Sequence, residues 1–187
     1  MSRFNEYTGT HTKWEKTPTE SWTFFFRKLP ETLEDMKAMS DCDLKQPQNT
    51  AAMVLLALCV YPKDKEECFR MLEYLSGPKG LSEFERQFLA DRFSDGQDYI
   101  PFSYFEGATP DNDYTPHKDP YKLVINELPQ SKQNLSVGYY SLYFTSSGAD
   151  SLRYVTLKKK ASTGEWFLNE QFLMVQIKDP RSKDPWA

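Results

Sequence analysis

The chain has 187 residues, a formal net charge of -4 at pH 7 and an aromatic content of 15%. This length suits a single domain, and the aromatic content favours a packed core over extended disorder. The negative charge argues against binding to the phosphate backbone of nucleic acids, and no apolar run reaches the ~20 residues that a membrane span needs. The start of the chain shows no secretory signal, and the cysteines form no CxxC pair, so we expect free thiols in the cytoplasm.

The first residues allow two interpretations. The aromatic run SWTFFF, at 21–26, is either a short strand or an arm that lies on the domain. We therefore assign residues 1–28 to an N-terminal arm and residues 29–187 to a single domain.

Helical patterns follow, and about four helices are predicted. The first covers about 31–40 and has Thr32 and Asp35 in capping positions. The second covers 47–60; it is apolar on every face, so we expect it to be the most buried helix.

The third and fourth helices have similar start signals. Asp64 precedes the third helix, with Glu67 as the partner in a capping box, and Gly77 fits a left-handed C-cap. Ser82 precedes the fourth helix and has Glu85 as its partner. We expect Phe84, Phe88 and Leu89 to share the buried face of this helix.

The segment 97–120 has neither helical nor strand periodicity. Segments of this length without regular structure are uncommon in compact domains unless they are functional or disordered. Its first half is rich in aromatic residues, so we expect that half to be pinned to the core. The second half, from Thr109 onward, is predicted to be an exposed acidic turn.

The last third of the chain has strand patterns. We predict strands near 121–128, 138–146, 152–159 and 165–172, with 173–178 either extending the last strand or bending away, and a hairpin turn at 162–164. Helices followed by strands indicate an α+β fold, in which a helical N-terminal half packs on an antiparallel meander of four to five strands. A split into two domains near 97–120 is the alternative.

The loop SSGADS, at 146–151, allows three interpretations. A nucleophilic serine is disfavoured because the GxSxG spacing is missing and the histidines, His11 and His117, lie in polar surroundings. An anion-binding cradle could form if Gly148 turned backbone N–H groups inward and Arg153 added its charge. A plain hairpin loop, in which Asp150 and Ser151 bond to their own backbone, is favoured.

The sequence gives little evidence for a metal site or for acid–base catalysis. The run DNDYTPHKD, at 111–119, resembles the start of a calcium loop but has Pro116 at the glycine position and Lys122 at the place of the bidentate acid. The acids Glu66, Glu67, Glu83 and Glu85 are explained as helix starts. No cofactor and no metal site are predicted.

The aromatic cluster around 99–105 is the most suggestive feature. Its rings either form a partner-binding surface or seal the seam between helices and sheet. Our candidate binding residues combine this cluster with the SSGADS loop: Phe102, Tyr104, Phe105, Gly107, Ser147, Gly148, Asp150 and Arg153. Near the end of the chain, Trp186 is either tucked into the domain or a docking handle.

Three strings give the chain a resemblance to a known family. YIPFSYFEGATPDNDYTP, SSGADSLRYVTLKKKASTGEWFLNE and the final DPWA resemble a family of bacterial proteins, mainly from Firmicutes, that is known as a domain of unknown function. The resemblance extends from about residue 29 over most of the chain and implies no activity. It does imply that SGADS and PFSYFEG act together.

Two functional hypotheses follow. The first is a cytoplasmic, non-catalytic protein that binds a protein partner or a small ligand through the candidate residues. The alternative is an enzyme or ligand-binding protein on a cone-shaped scaffold, like that of cystatin or nuclear transport factor, in which a buried carboxylate serves as a general base.

Overall fold

The computed structural model describes residues 17–187, and these contain one antiparallel sheet of five strands. The strands lie in the sheet in the order in which they occur in the chain. They are β1 (Glu20–Phe26), β2 (Tyr121–Glu127), β3 (Tyr139–Phe144), β4 (Arg153–Lys159) and β5 (Trp166–Gln171).

Four α-helices of the described residues lie between β1 and β2. They are α1 (Leu33–Ala38), α2 (Pro47–Val60), α3 (Lys65–Ser76) and α4 (Glu83–Phe93). The helices therefore precede the meander β2–β5, and the predicted α+β fold is confirmed.

The aromatic run near the N-terminus is a strand. β1 pairs with β2 along its whole length, from Glu20 opposite Glu127 to Phe26 opposite Tyr121. Phe24 and Phe26 are buried, whereas Phe25 is 61% exposed. This alternation is what a strand with one covered face requires, and it means that the sheet begins before residue 29.

Helix α2 lies at the centre of the molecule, as its apolar sequence predicts. Every residue from Thr50 to Val60 is buried, because the helix packs against α3 and against strands β2 to β5. A helix that is covered on all sides needs no polar face. One cluster of buried side chains includes residues of both the helices and the strands.

The helix starts agree with two of the three predicted capping boxes. Thr32 with Asp35, and Ser82 with Glu85, form both bonds of the box. In α3 the Asp64 side chain accepts a hydrogen bond from the Glu67 N–H, but the Glu67 carboxylate accepts from the Leu33 N–H at 2.9 Å. Glu67 thus connects α3 to the start of α1 instead of closing its own box.

The strands of the meander alternate as predicted. Val155 and Leu157 face the core, and Tyr154 and Thr156 lie on the other face. The turn between β4 and β5 closes with a hydrogen bond from the Gly164 N–H to the Lys160 carbonyl, and Gly164 has a φ of +74°. The hairpin prediction at 162–164 is therefore confirmed.

After β5 the chain bends away and is held by the long loops. The Tyr104 hydroxyl donates to the Leu173 carbonyl, and the Tyr114 hydroxyl donates to the Lys178 carbonyl at 2.7 Å. The Lys178 N–H in turn donates to the Gly148 carbonyl at 2.9 Å. We call residues 173–183 the tail strap.

The structure adds two details about the loops. The second half of 97–120 is mostly exposed, as predicted, but Tyr114 is only 2% exposed and anchors it to the domain. Its ring stacks on Tyr99 with the centroids 5.1 Å apart. Trp186 is 93% exposed, which excludes the interpretation that it is tucked into the domain.

Candidate binding site

The structure brings the two predicted binding segments together. The Ser147 N–H donates to the Ser103 carbonyl at 3.3 Å, and the hydroxyl oxygens of Ser146 and Ser103 lie 2.7 Å apart. Residues 99–107 and 146–153 are therefore neighbours; that they act together in binding stays a prediction.

Several of the predicted residues serve internal contacts. Tyr104 and Phe105 are 4% and 2% exposed. The edge of the Tyr104 ring meets Phe144 at 5.9 Å between centroids, and Phe105 meets Tyr121 at 5.4 Å. Burial raises the pKa of the Tyr104 hydroxyl far above its usual value. These rings seal the seam between the loop and the sheet.

The anion-cradle interpretation of the SSGADS loop is wrong. Gly148 does not have the positive φ that would turn its N–H inward; this N–H donates to the Ser146 hydroxyl at 3.1 Å. The Arg153 guanidinium is buried and donates to the carbonyls of Val175 and Gln176 and to Ser151. The Arg153 guanidinium therefore binds the tail strap and is not free to bind an anion.

The SSGADS loop is a turn, but the side chains that stabilise it differ from the predicted ones, Asp150 and Ser151. Ser146 bonds to the loop backbone, whereas Asp150 forms an ion pair with Lys178 at 3.1 Å and Ser151 accepts from Arg153. Asp150 and Ser147 are exposed. The predicted binding role of this loop stays a prediction.

The other predicted residues are half-buried. Gly107 lies under the exposed His117 ring, which would be 2.5 Å from a Cβ at that position. Phe102 lines a groove beside Tyr121 and Lys118. His11, the other histidine, lies outside the described residues.

The described residues contain one buried carboxylate, Glu127. It accepts hydrogen bonds from Tyr140, from Thr19 at 2.8 Å, and from Lys132 at 3.1 Å. Burial alone would raise the pKa of Glu127, but these hydrogen bonds outweigh it and hold the pKa below its usual value. A carboxylate in this state is a poor general base at neutral pH, and it lines none of the grooves described below.

A concavity with a largely apolar lining lies between α4 and the C-terminal part of β5. We call it the apolar groove; it has a volume of about 480 Å³. Its size is within the range of about 300–1,000 Å³ that is usual for ligand pockets. Its apolar lining includes Leu81, Phe84, Phe88, Leu168, Phe172 and Val175.

Phe84 stands at the mouth of the apolar groove. We predicted it to be buried with Phe88 and Leu89, but it is 80% exposed, whereas Leu89 is 2% exposed. On the opposite wall, Phe172 packs on Tyr154 with the ring centroids 4.6 Å apart. Aromatic rings thus flank the groove on both sides.

Sequence reasoning missed this groove because its walls are far apart in the chain. Residues 81–89 form one wall, and residues 168–175 form the other. Each stretch alone looks like an ordinary amphipathic helix or a strand. The signal that was available is the position of β5 as the last strand of a meander, which makes it an edge strand.

Comparison with known proteins identifies one relationship. A family model described as "Domain of unknown function (DUF6935)" matches residues 28–181. No curated protein and no solved structure matches the chain. Within residues 17–187, every helix falls short of the length and apolarity needed to cross a bilayer.

Proposed function

Since the chain belongs to the DUF6935 family, whose description states no function, we propose from the geometry that it is a non-catalytic binding protein. The ligand that it binds is an extended apolar segment of a partner protein. This segment lies in the apolar groove along β5. The observation that carries the proposal is the outer edge of β5, which forms one wall of the groove opposite the exposed Phe84.

The outer edge of β5 already forms hydrogen bonds at its first residue. The Trp166 N–H donates to the Leu44 carbonyl at 2.7 Å, and the Trp166 carbonyl accepts from the Thr50 hydroxyl at 3.0 Å. Backbone groups of a strand alternate in direction, so those of Leu168 point to the same edge. Leu168 lies in the groove, where a peptide strand could pair with it.

This arrangement fits peptide recognition by strand addition. In that mode, backbone hydrogen bonds at a sheet edge supply affinity, and side pockets select alternate side chains of the peptide. Phe84, Phe88 and Phe172 supply the apolar pockets. Glu170 has no ion-pair partner within residues 17–187, so we expect a basic residue in the partner segment near it.

The proposal is tested with a phage-displayed library of random peptides selected on the full chain. We expect apolar peptides with a basic flanking residue, and amide shifts at 168–172 when a selected peptide is titrated into ¹⁵N-labelled protein. Phe84→Asp should weaken binding about tenfold or more, because it places a charge at the apolar anchor.

Phe25→Asp is the matched control. Phe25 is also an exposed phenylalanine, but it lies on β1, at the opposite edge of the sheet. Failure to select any peptide, or equal loss of binding in both variants, would contradict the proposal.

A cytoplasmic location is part of the same proposal. The cysteines Cys42, Cys59 and Cys68 are free thiols, and Cys68 is fully buried. Free thiols are usual in a reducing compartment. The bacterial origin stays a prediction.

A further inference from the structure

A second concavity has a different character. It lies where the chain leaves β1, beside the end of α2, and has a volume of about 360 Å³. We call it the basic groove, because its lining includes the cations Arg27, Lys28, Lys63 and Lys118 and a single carboxylate, Glu31.

Within the described residues, one of the four cations of the basic groove is paired with a carboxylate and the other three are not. Lys63 pairs with Glu31 at 2.7 Å, and the charges of Lys63 and Lys28 lower the pKa of Glu31. Arg27, Lys28 and Lys118 form no ion pair with another residue of the described part of the chain. A local excess of positive charge in a chain of net charge -4 points to an anionic ligand.

The floor and walls of the groove are apolar. Val60 and Cys59 are 5% and 9% exposed and lie at the floor. Phe102 and Tyr121 supply half-buried rings to the walls. Both rings lean on the buried Phe105, at 6.5 Å and 5.4 Å between centroids, which fixes their positions.

We propose that the basic groove binds a small organic anion that carries a flat apolar ring system. The ring system lies against Phe102 and Tyr121, and the anionic group lies between Lys28, Lys118 and Arg27. The volume of the groove admits a small molecule, since ligand pockets begin at about 300 Å³. Phe102 is the one residue of our predicted binding set that lines this groove.

The test compares two fluorescent probes that share one ring system. Anilinonaphthalene sulfonate carries the anionic group, and N-phenylnaphthylamine lacks it. Lys28→Glu and Lys118→Glu should each weaken binding of the sulfonate to the full chain about fivefold, because each replaces an attraction by a repulsion. Binding of the neutral amine should stay unchanged in both variants.

Lys160→Glu is the matched control, because Lys160 is exposed and lies outside the groove. It should leave binding of both probes unchanged. Phe84→Asp weakens binding that occurs in the apolar groove, so sulfonate affinity that this variant leaves unchanged reports on the basic groove. The proposal is overturned if the sulfonate does not bind, or if it binds the Lys28, Lys118 and Lys160 variants equally well.

Discussion

Gly148 shows how a single residue can be required for steric reasons alone. A Cβ at this position would lie 2.1 Å from the Tyr114 hydroxyl oxygen and 2.7 Å from Ile177. The loop, the long connection and the tail strap therefore meet at a point that leaves no room for a methyl group. The string SGADS contains this glycine, and its role there is close packing.

Gly148→Ala should lower the free energy of unfolding by about 1–3 kcal/mol, because overpacking displaces the tail strap. Gly164→Ala is the contrast: nothing lies within 4 Å of its added Cβ, but its φ is +74°, so only backbone strain of about 1 kcal/mol is expected. Urea unfolding measures both. If the double change Gly148→Ala with Tyr114→Phe is as unstable as the sum of the single changes, the steric explanation is wrong.

Glu127 makes stability depend on pH. Its folded pKa lies below the ordinary value of 4.5, so the carboxylate stabilises the fold above pH 4.5, and this contribution is lost as the pH falls through the folded pKa. Glu127→Gln should cost about 1–2 kcal/mol at neutral pH, and the difference from the natural chain should shrink in acid. Urea unfolding over a pH series measures this. Glu170→Gln, at an exposed side chain, is the control, and we expect it to change the free energy of unfolding by less than about 0.5 kcal/mol.

At the scale of elements, local signals predicted the helices well. The bounds of α2 agree with the sequence because Pro47 suits a first turn, and the caps at Thr32 and Ser82 are local chemistry. The hydrogen bond that the Glu67 carboxylate accepts from the Leu33 N–H, and the exposure of Phe84, could not be predicted from local signals. Both depend on which neighbour packs beside the helix, and that is a property of the tertiary fold.

Adjacent residues of β1 provide a test of its role as a strand. Phe26→Ala should cost about 3–5 kcal/mol, because Phe26 is 3% exposed and leaves a cavity in the core. Phe25→Ala should change the free energy of unfolding by less than about 0.5 kcal/mol. Urea unfolding of the two variants measures the difference. Similar effects at both positions would show that the run does not alternate between core and solvent.

At the scale of the whole molecule, the sequence predicted the fold class correctly, whereas the predicted binding surface stays a prediction. The aromatic cluster was recognised correctly as ordered, but two of its four rings, those of Tyr104 and Phe105, are buried. Composition cannot distinguish a ring that seals a seam from a ring that binds a partner. The grooves arise where distant segments meet, as Lys118 meets Lys28, and no local pattern signals such a meeting.

The buried cluster that joins helices and strands predicts a single cooperative unfolding transition. Far-UV circular dichroism reports the helices, and fluorescence of the buried Trp166, in a variant with the other three tryptophans replaced by phenylalanine, reports the sheet. The two signals should have the same midpoint in urea. Two separate transitions would show that residues 29–187 do not form a single domain.

The tail strap has a consequence for how the chain is synthesised. The Tyr104 and Tyr114 hydroxyls and the Arg153 guanidinium donate hydrogen bonds to backbone carbonyls of residues 173–178. On the ribosome, these three side chains therefore lack these hydrogen-bond partners until residues 173–178 have left the exit tunnel. We expect nascent chains that end at residue 172 and continue into a linker long enough to fill the exit tunnel to be cut by protease, and chains that continue through residue 183 before the same linker to resist it.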